Sequence, residues 1–139
     1  MTAPESSNKA DQQSVGVIGL GIMGSAISNN LVASGYQTYG YDPDKRCSEQ
    51  ASAMGVAIKS NAIEVVQCSN LILLSLPSEE ALNTTVAQIL ANPEITASKP
   101  IIADLSTLSI ECKMRNYDRL AKAGIEFFDC PISGTGMQA

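Results

Sequence analysis

Val15-Gly16-Val17-Ile18-Gly19-Leu20-Gly21-Ile22-Met23-Gly24 is the stretch on which the reading of this chain turns. A short β-rich run, Val15 to Ile18, meets three glycines spaced over six positions, and a helix-compatible sequence follows. Each glycine has a physical task. Gly19 permits a tight turn, Gly21 lets the backbone approach a diphosphate, and Gly24 lets the new helix pack close to the strand. The amides that open such a helix have no partners within it, and with the helix dipole they favour an anion. A glycine pattern alone is weak. Here it has the required strand before it, a helix after it, and an acid downstream.

That acid is Asp42, in Tyr39-Gly40-Tyr41-Asp42-Pro43. A carboxylate at the end of the second strand accepts hydrogen bonds from the hydroxyls of an adenosine ribose and repels a 2′-phosphate, which favours NAD over NADP. The alternative is that Asp42 caps the turn before Pro43. Lys45 and Arg46 stand nearby as cations that could partly accommodate a phosphate, so NADP stays open.

Outward from this point, β-rich runs alternate with amphipathic stretches, the pattern of βαβ units around a parallel sheet. Strands are expected at 14–19, 37–42, 56–58, 71–76, 100–104 and 126–129, with helices at 22–34, 44–54, 61–67, 78–90 and 110–123. The continuous run Leu71-Ile72-Leu73-Leu74 suits a central strand covered on both faces. Gly35, Gly55 and Gly124 fall where helices need a left-handed end, and Asn61 with Glu64 reads as a capping box. Residues 91–99, with Asn92-Pro93, read as a surface loop. Residues 1–13 are polar, with no hydrophobic period, and read as a disordered leader. The expected fold class is α/β, a doubly wound parallel sheet of Rossmann type, in a single domain over 14–139.

Composition narrows the partners. The 139 residues carry 9 Lys and Arg against 14 Asp and Glu, a net charge of −5, and the few cations are scattered, which argues against nucleic acid. Cys47, Cys68, Cys112 and Cys130 form no Cys-x-x-Cys pair, and the chain has no histidine, so no metal site is expected. No signal peptide is legible, so the cysteines read as reduced thiols in a cytoplasmic setting. The longest apolar run is far short of the roughly 20 residues that cross a bilayer, so no membrane partner is expected.

With the loop placed, the sequence resembles the β-hydroxyacid dehydrogenase family, which includes 3-hydroxyisobutyrate dehydrogenase and 6-phosphogluconate dehydrogenase. The likeness rests on the Gly-Leu-Gly-x-Met-Gly loop (Gly19, Leu20, Gly21, Ile22, Met23, Gly24), continued by Asn30-Leu31. It rests also on Leu76-Pro77, on Asp104-Leu105-Ser106-Thr107, and on Asp129-Cys130-Pro131-Ile132-Ser133-Gly134. The resemblance implies that Leu76 and Pro77 line the cofactor's path and that Thr107 lies beside the nicotinamide ribose and the substrate. It also implies that Ser133, Gly134 and Thr135 hold a substrate carboxylate. Ser106 and Thr107 also suit a helix N-cap. Thr135 departs from the family's second glycine there, which leaves the substrate class open.

Relatives use a lysine from a helical second domain as general acid or base, and no lysine here lies in a comparable segment. The reading is therefore a cofactor domain without its helical catalytic half, inactive alone, from a truncated parent. The expected parent is an NAD(P)-dependent dehydrogenase of a small 3-hydroxy acid and a homo-oligomer. Two rivals stand beside it: a module that senses dinucleotide without chemistry, and the cofactor domain of an imine reductase.

Overall fold

The computed structural model describes residues 13–133. Six strands, β1 (Ser14–Ile18), β2 (Gln37–Tyr41), β3 (Ala57–Ile58), β4 (Leu71–Leu74), β5 (Ile101–Asp104) and β6 (Glu126–Asp129), form one parallel sheet in the order β3-β2-β1-β4-β5-β6. Between them run α1 (Ile22–Ala33), α2 (Lys45–Ala53), α3 (Ala62–Gln67), α4 (Glu79–Leu90), α5 (Pro93–Ser98) and α6 (Ile110–Lys122). The chain works outward from β1 to β3, then crosses to β4 on the other side of β1. The strand order reverses there, and in such sheets the carboxyl ends at the reversal form a crevice.

Two apolar layers hold the sheet. Ile18, Ile72, Leu74, Ile102 and Phe127 pack with α3, α4 and α6 residues such as Val65, Leu82 and Leu120. Val17, Leu20, Ala51 and Val56 build the smaller layer against α1 and α2. The doubly wound architecture and every expected strand and helix are present, with ends trimmed by one or two residues. Some trimmed residues became caps: Asn61 and Ser78 precede α3 and α4, and their side chains accept from Glu64 N and Ala81 N. Gly35, Gly55 and Gly124 take the left-handed backbone expected of them, at φ of 88°, 102° and 75°.

The 91–99 segment is not a loop. Asn92 Oδ1 accepts from the amides of Glu94 and Ile95 at 3.1 and 3.2 Å, Pro93 takes the first helical turn, and α5 buries Ile95 against the core. Asn-Pro served here as a helix start, where a missing proline N–H costs nothing. The leader expectation for 1–13 falls almost wholly outside the described residues.

Candidate cofactor site

The β1–α1 turn is fixed by backbone contacts that only glycine allows. Gly19 has φ of 96° and donates to Tyr41 O at 2.9 Å, and a Cβ there would lie 2.0 Å from Ser75 O. A Cβ on Gly24 would lie 1.8 Å from Gly19 O. Gly21 is different: its φ is an ordinary −68° and nothing lies within 4 Å of the position a Cβ would take. The loop's two outer glycines thus close the fold, and the middle one faces open space.

Helix α1 begins there without a side-chain cap or an acid in its first turn. The helices α2 to α6 are instead capped by Asp44, Asn61, Ser78, Asn92 and Ser109. The first-turn amides of α1 therefore lack a side-chain cap, beside an 80% exposed Ile22 and a half-buried Met23. Leu20 is buried beneath the turn and packs in the smaller layer.

Asp42 meets the loop directly. Its Oδ2 accepts from Leu20 N and its Oδ1 from Asp44 N, both at 2.7 Å. The cap reading is correct in part, since the carboxylate braces the turn, but the helix cap itself is Asp44. Each carboxylate oxygen has two lone pairs, so Asp42 keeps acceptor capacity for a ribose. Lys45 pairs with Glu49 at 3.7 Å and Arg46 with Asp44 at 3.4 Å, both in solvent, so both cations already have acidic neighbours. The Asp44 carboxyl is held below its usual value, chiefly by the Arg46 amide it accepts from.

A cleft of about 400 Å³ opens at this point, lined by Gly19, Asp42, Pro43, Leu76, Pro77 and the start of α4. Of the residues expected from the sequence, the structure gathers the glycine loop, Asp42, Leu76 and Pro77 at the reversal. Thr107 is exposed at the carboxyl end of β5, and Ser133 is exposed beyond β6. Gly134 and Thr135 lie outside the described residues. Ser106 does not cap α6, a role taken by Ser109. Its hydroxyl accepts from Leu76 N at 2.8 Å, and its amide donates to Asp104 Oδ1 at 3.0 Å, which ties the Leu76-Pro77 turn to the β5 turn.

One group escaped the sequence reading. Lys113, on α6, is 5% exposed and donates to Asp129 Oδ1 and Ser106 O at 2.6 Å, with Asp104 Oδ2 at 3.0 Å. Burial alone would lower its pKa, but the bonds to Asp129 and Asp104 outweigh this and hold it above lysine's ordinary value. The available signal was its place among Cys112, Asn116 and Leu120 on the inner face of α6, near two strand-ending aspartates.

An open glycine, uncapped amides and an adjoining acid-lined cleft fit a dinucleotide. The fold and this site define a dinucleotide-binding Rossmann domain. Across residues 14–139 the sequence matches the NAD binding domain of 6-phosphogluconate dehydrogenase, and the chain belongs to that family. It is an NAD-binding domain of the 3-hydroxyisobutyrate dehydrogenase and 6-phosphogluconate dehydrogenase type.

A probable 3-hydroxyisobutyrate dehydrogenase of Mycobacterium tuberculosis is 32% identical over 123 residues, covering 86% of this chain and 40% of the relative. The solved Mycobacterium tuberculosis 3-hydroxyisobutyrate dehydrogenase with L-serine superposes with a TM-score of 0.84 at 28% identity, over 92% of this chain and 43% of that one. An imine reductase from Myxococcus stipitatus, a variant solved with NAD+, shares the fold with a TM-score of 0.79 at 24% identity, over 90% and 42%. The same organism's imine reductase has also been solved with NADP+. The chain spans about two fifths of the length of the relatives it matches.

Among the described residues no helix is long and apolar enough to cross a membrane. Among them, too, no group of three or more His, Cys, Asp or Glu is placed to hold a metal ion, and all four cysteines are free thiols.

Proposed function

We propose that this chain holds NAD, in preference to NADP, for an oxidoreductase that moves a hydride between the nicotinamide and a small 3-hydroxy acid. The observation that carries the reading is the uncapped start of α1 at Gly21, open to solvent beside Asp42, in a chain whose other described helices are capped by side chains. When bound, the nicotinamide ring accepts or supplies the hydride. The chain's own residues bind and orient it. First-turn amides of α1 neutralise the diphosphate, Asp42 takes the ribose hydroxyls, and Leu76 and Pro77 wall the path. Thr107 stands by the nicotinamide ribose, and Ser133, Gly134 and Thr135 receive the substrate carboxylate.

The proton that leaves the hydroxyl with the hydride needs a base within reach. Lys113 is engaged by two carboxylates and a carbonyl, so it does not supply one. The chain by itself binds cofactor without turning over, in a cytoplasmic setting, as part of a homo-oligomeric parent. An imine substrate is the second reading, favoured by the likeness of fold to imine reductases.

Titrating NADH and NADPH into the purified chain tests the proposal. NADH binds more tightly, and Asp42→Ala weakens NADH and narrows the gap to NADPH. Binding of neither nucleotide, or steady-state oxidation of a hydroxy acid by the chain alone, contradicts it.

A further inference from the structure

Asp104 and Asp129 are register partners on adjacent parallel strands, so their carboxylates emerge side by side on one face of the sheet. Like charges at that separation repel strongly where water is scarce. Lys113 reaches between them from α6. An ammonium has three N–H donors: two go to Asp129 Oδ1 and the Ser106 carbonyl, and Asp104 Oδ2 stands 3.0 Å from the nitrogen as an ion-pair partner. Asp104 and Lys113 are almost completely buried, whereas the Asp129 side chain is 48% exposed. From Asp104 the network continues through the Ser106 amide to the Ser106 hydroxyl and the Leu76 amide. The chain of bonds ties the carboxyl ends of β4, β5 and β6 together at the two turns that leave β5 and β6 for Thr107 and Ser133.

A buried charge cluster of this kind is poor evidence for stability, because desolvation offsets the attraction. Its geometric effect is definite. We infer that Lys113 is a positioning residue that fixes Thr107, and the chain leading to Ser133, against the nicotinamide end of the dinucleotide. The hydrogen bonds and ion pairs of Lys113 go to Ser106, Asp104 and Asp129, not to the glycine loop or Asp42 proposed to hold the adenosine and diphosphate. The inference rests on the cofactor reading above and adds a residue to it.

The test is a comparison of two ligands on the purified 139-residue chain: NADH, which reaches the Thr107 side, and ADP, which does not. In Lys113→Met the affinity for NADH falls by about fivefold or more, while that for ADP stays within about twofold. An equal loss for both ligands overturns the inference, because Lys113 then only supports the fold. No change for either overturns it too. If Lys113→Met does not fold, Asp129→Ala removes one bond at the half-exposed end. A smaller loss confined to NADH supports the assignment, and unchanged NADH affinity defeats it. Wild-type chain that binds neither ligand fails the cofactor reading itself, and that control is read before any variant.

Discussion

Alanine at Gly24 and alanine at Gly21 separate the loop's two tasks. In an ordinary helix, replacing glycine by alanine gains about 1 kcal/mol. At Gly24 the new methyl would sit 1.8 Å from Gly19 O and 2.9 Å from its carbonyl carbon. Both are backbone atoms, and Gly19 is itself pinned by its bonds and by Ser75, so the clash is relieved only by moving α1 away from β1. Overpacking of this kind costs about 1–3 kcal/mol or more, which more than cancels the helical gain. A backbone clash at 1.8 Å belongs at the upper end of that range, so the net loss is about 2 kcal/mol, a fall in melting temperature on the order of 5–10 °C for a chain of this size. Gly21→Ala meets no atom within 4 Å at an unstrained φ of −68°, so the melting temperature stays close to wild type. Its methyl instead enters the space proposed for the diphosphate. Loss of one charge-assisted hydrogen bond, about 1.5–3 kcal/mol, weakens NADH on the order of 10- to 100-fold. Thermal denaturation followed by circular dichroism and calorimetric titration of NADH measure both quantities. A destabilised Gly21→Ala, or one that binds NADH as wild type does, refutes the division of labour.

The folded pKa of Lys113 is raised above 10.5, so the stability it contributes is complete below pH 10.5 and is lost as pH climbs through the raised value. Urea denaturation across pH 9–12 should show an alkaline loss in wild type that Lys113→Met lacks. Asn92→Ala removes the acceptor for two amides of α5 and costs about 1 kcal/mol, read from the same urea curves. Asp42→Asn retains an oxygen for one of the Leu20 and Asp44 amides but loses the charge, so it destabilises less than Asp42→Ala while still narrowing the NADH to NADPH gap.

Most of the architecture was legible because local signals agreed with the global fold. Glycines marked helix ends, β-rich runs alternated with amphipathic segments, and the glycine loop joined a strand to a helix. The error at 91–99 came from reading Asn-Pro as turn punctuation. The same dipeptide is an N-cap followed by proline in the first turn, and only the burial of Ile95 decides between the two. Asp42 follows directly on the end of β2, but its bonds to Leu20 and Asp44 depend on how the loop folds back over the strand end, 22 residues away in sequence. Lys113 was invisible for a related reason. Its partners lie on two strands whose adjacency is a property of sheet order, and a lysine on a helix ordinarily reads as solvated.

The central claim is that bare amides at the start of α1 receive a diphosphate. A crystal of the chain grown with NADH tests this most directly. The diphosphate oxygens should lie within hydrogen-bond distance of the Ile22, Met23 and Gly24 amides, with the adenosine ribose on Asp42. An empty turn at saturating NADH, or a nucleotide bound elsewhere on the chain, contradicts it.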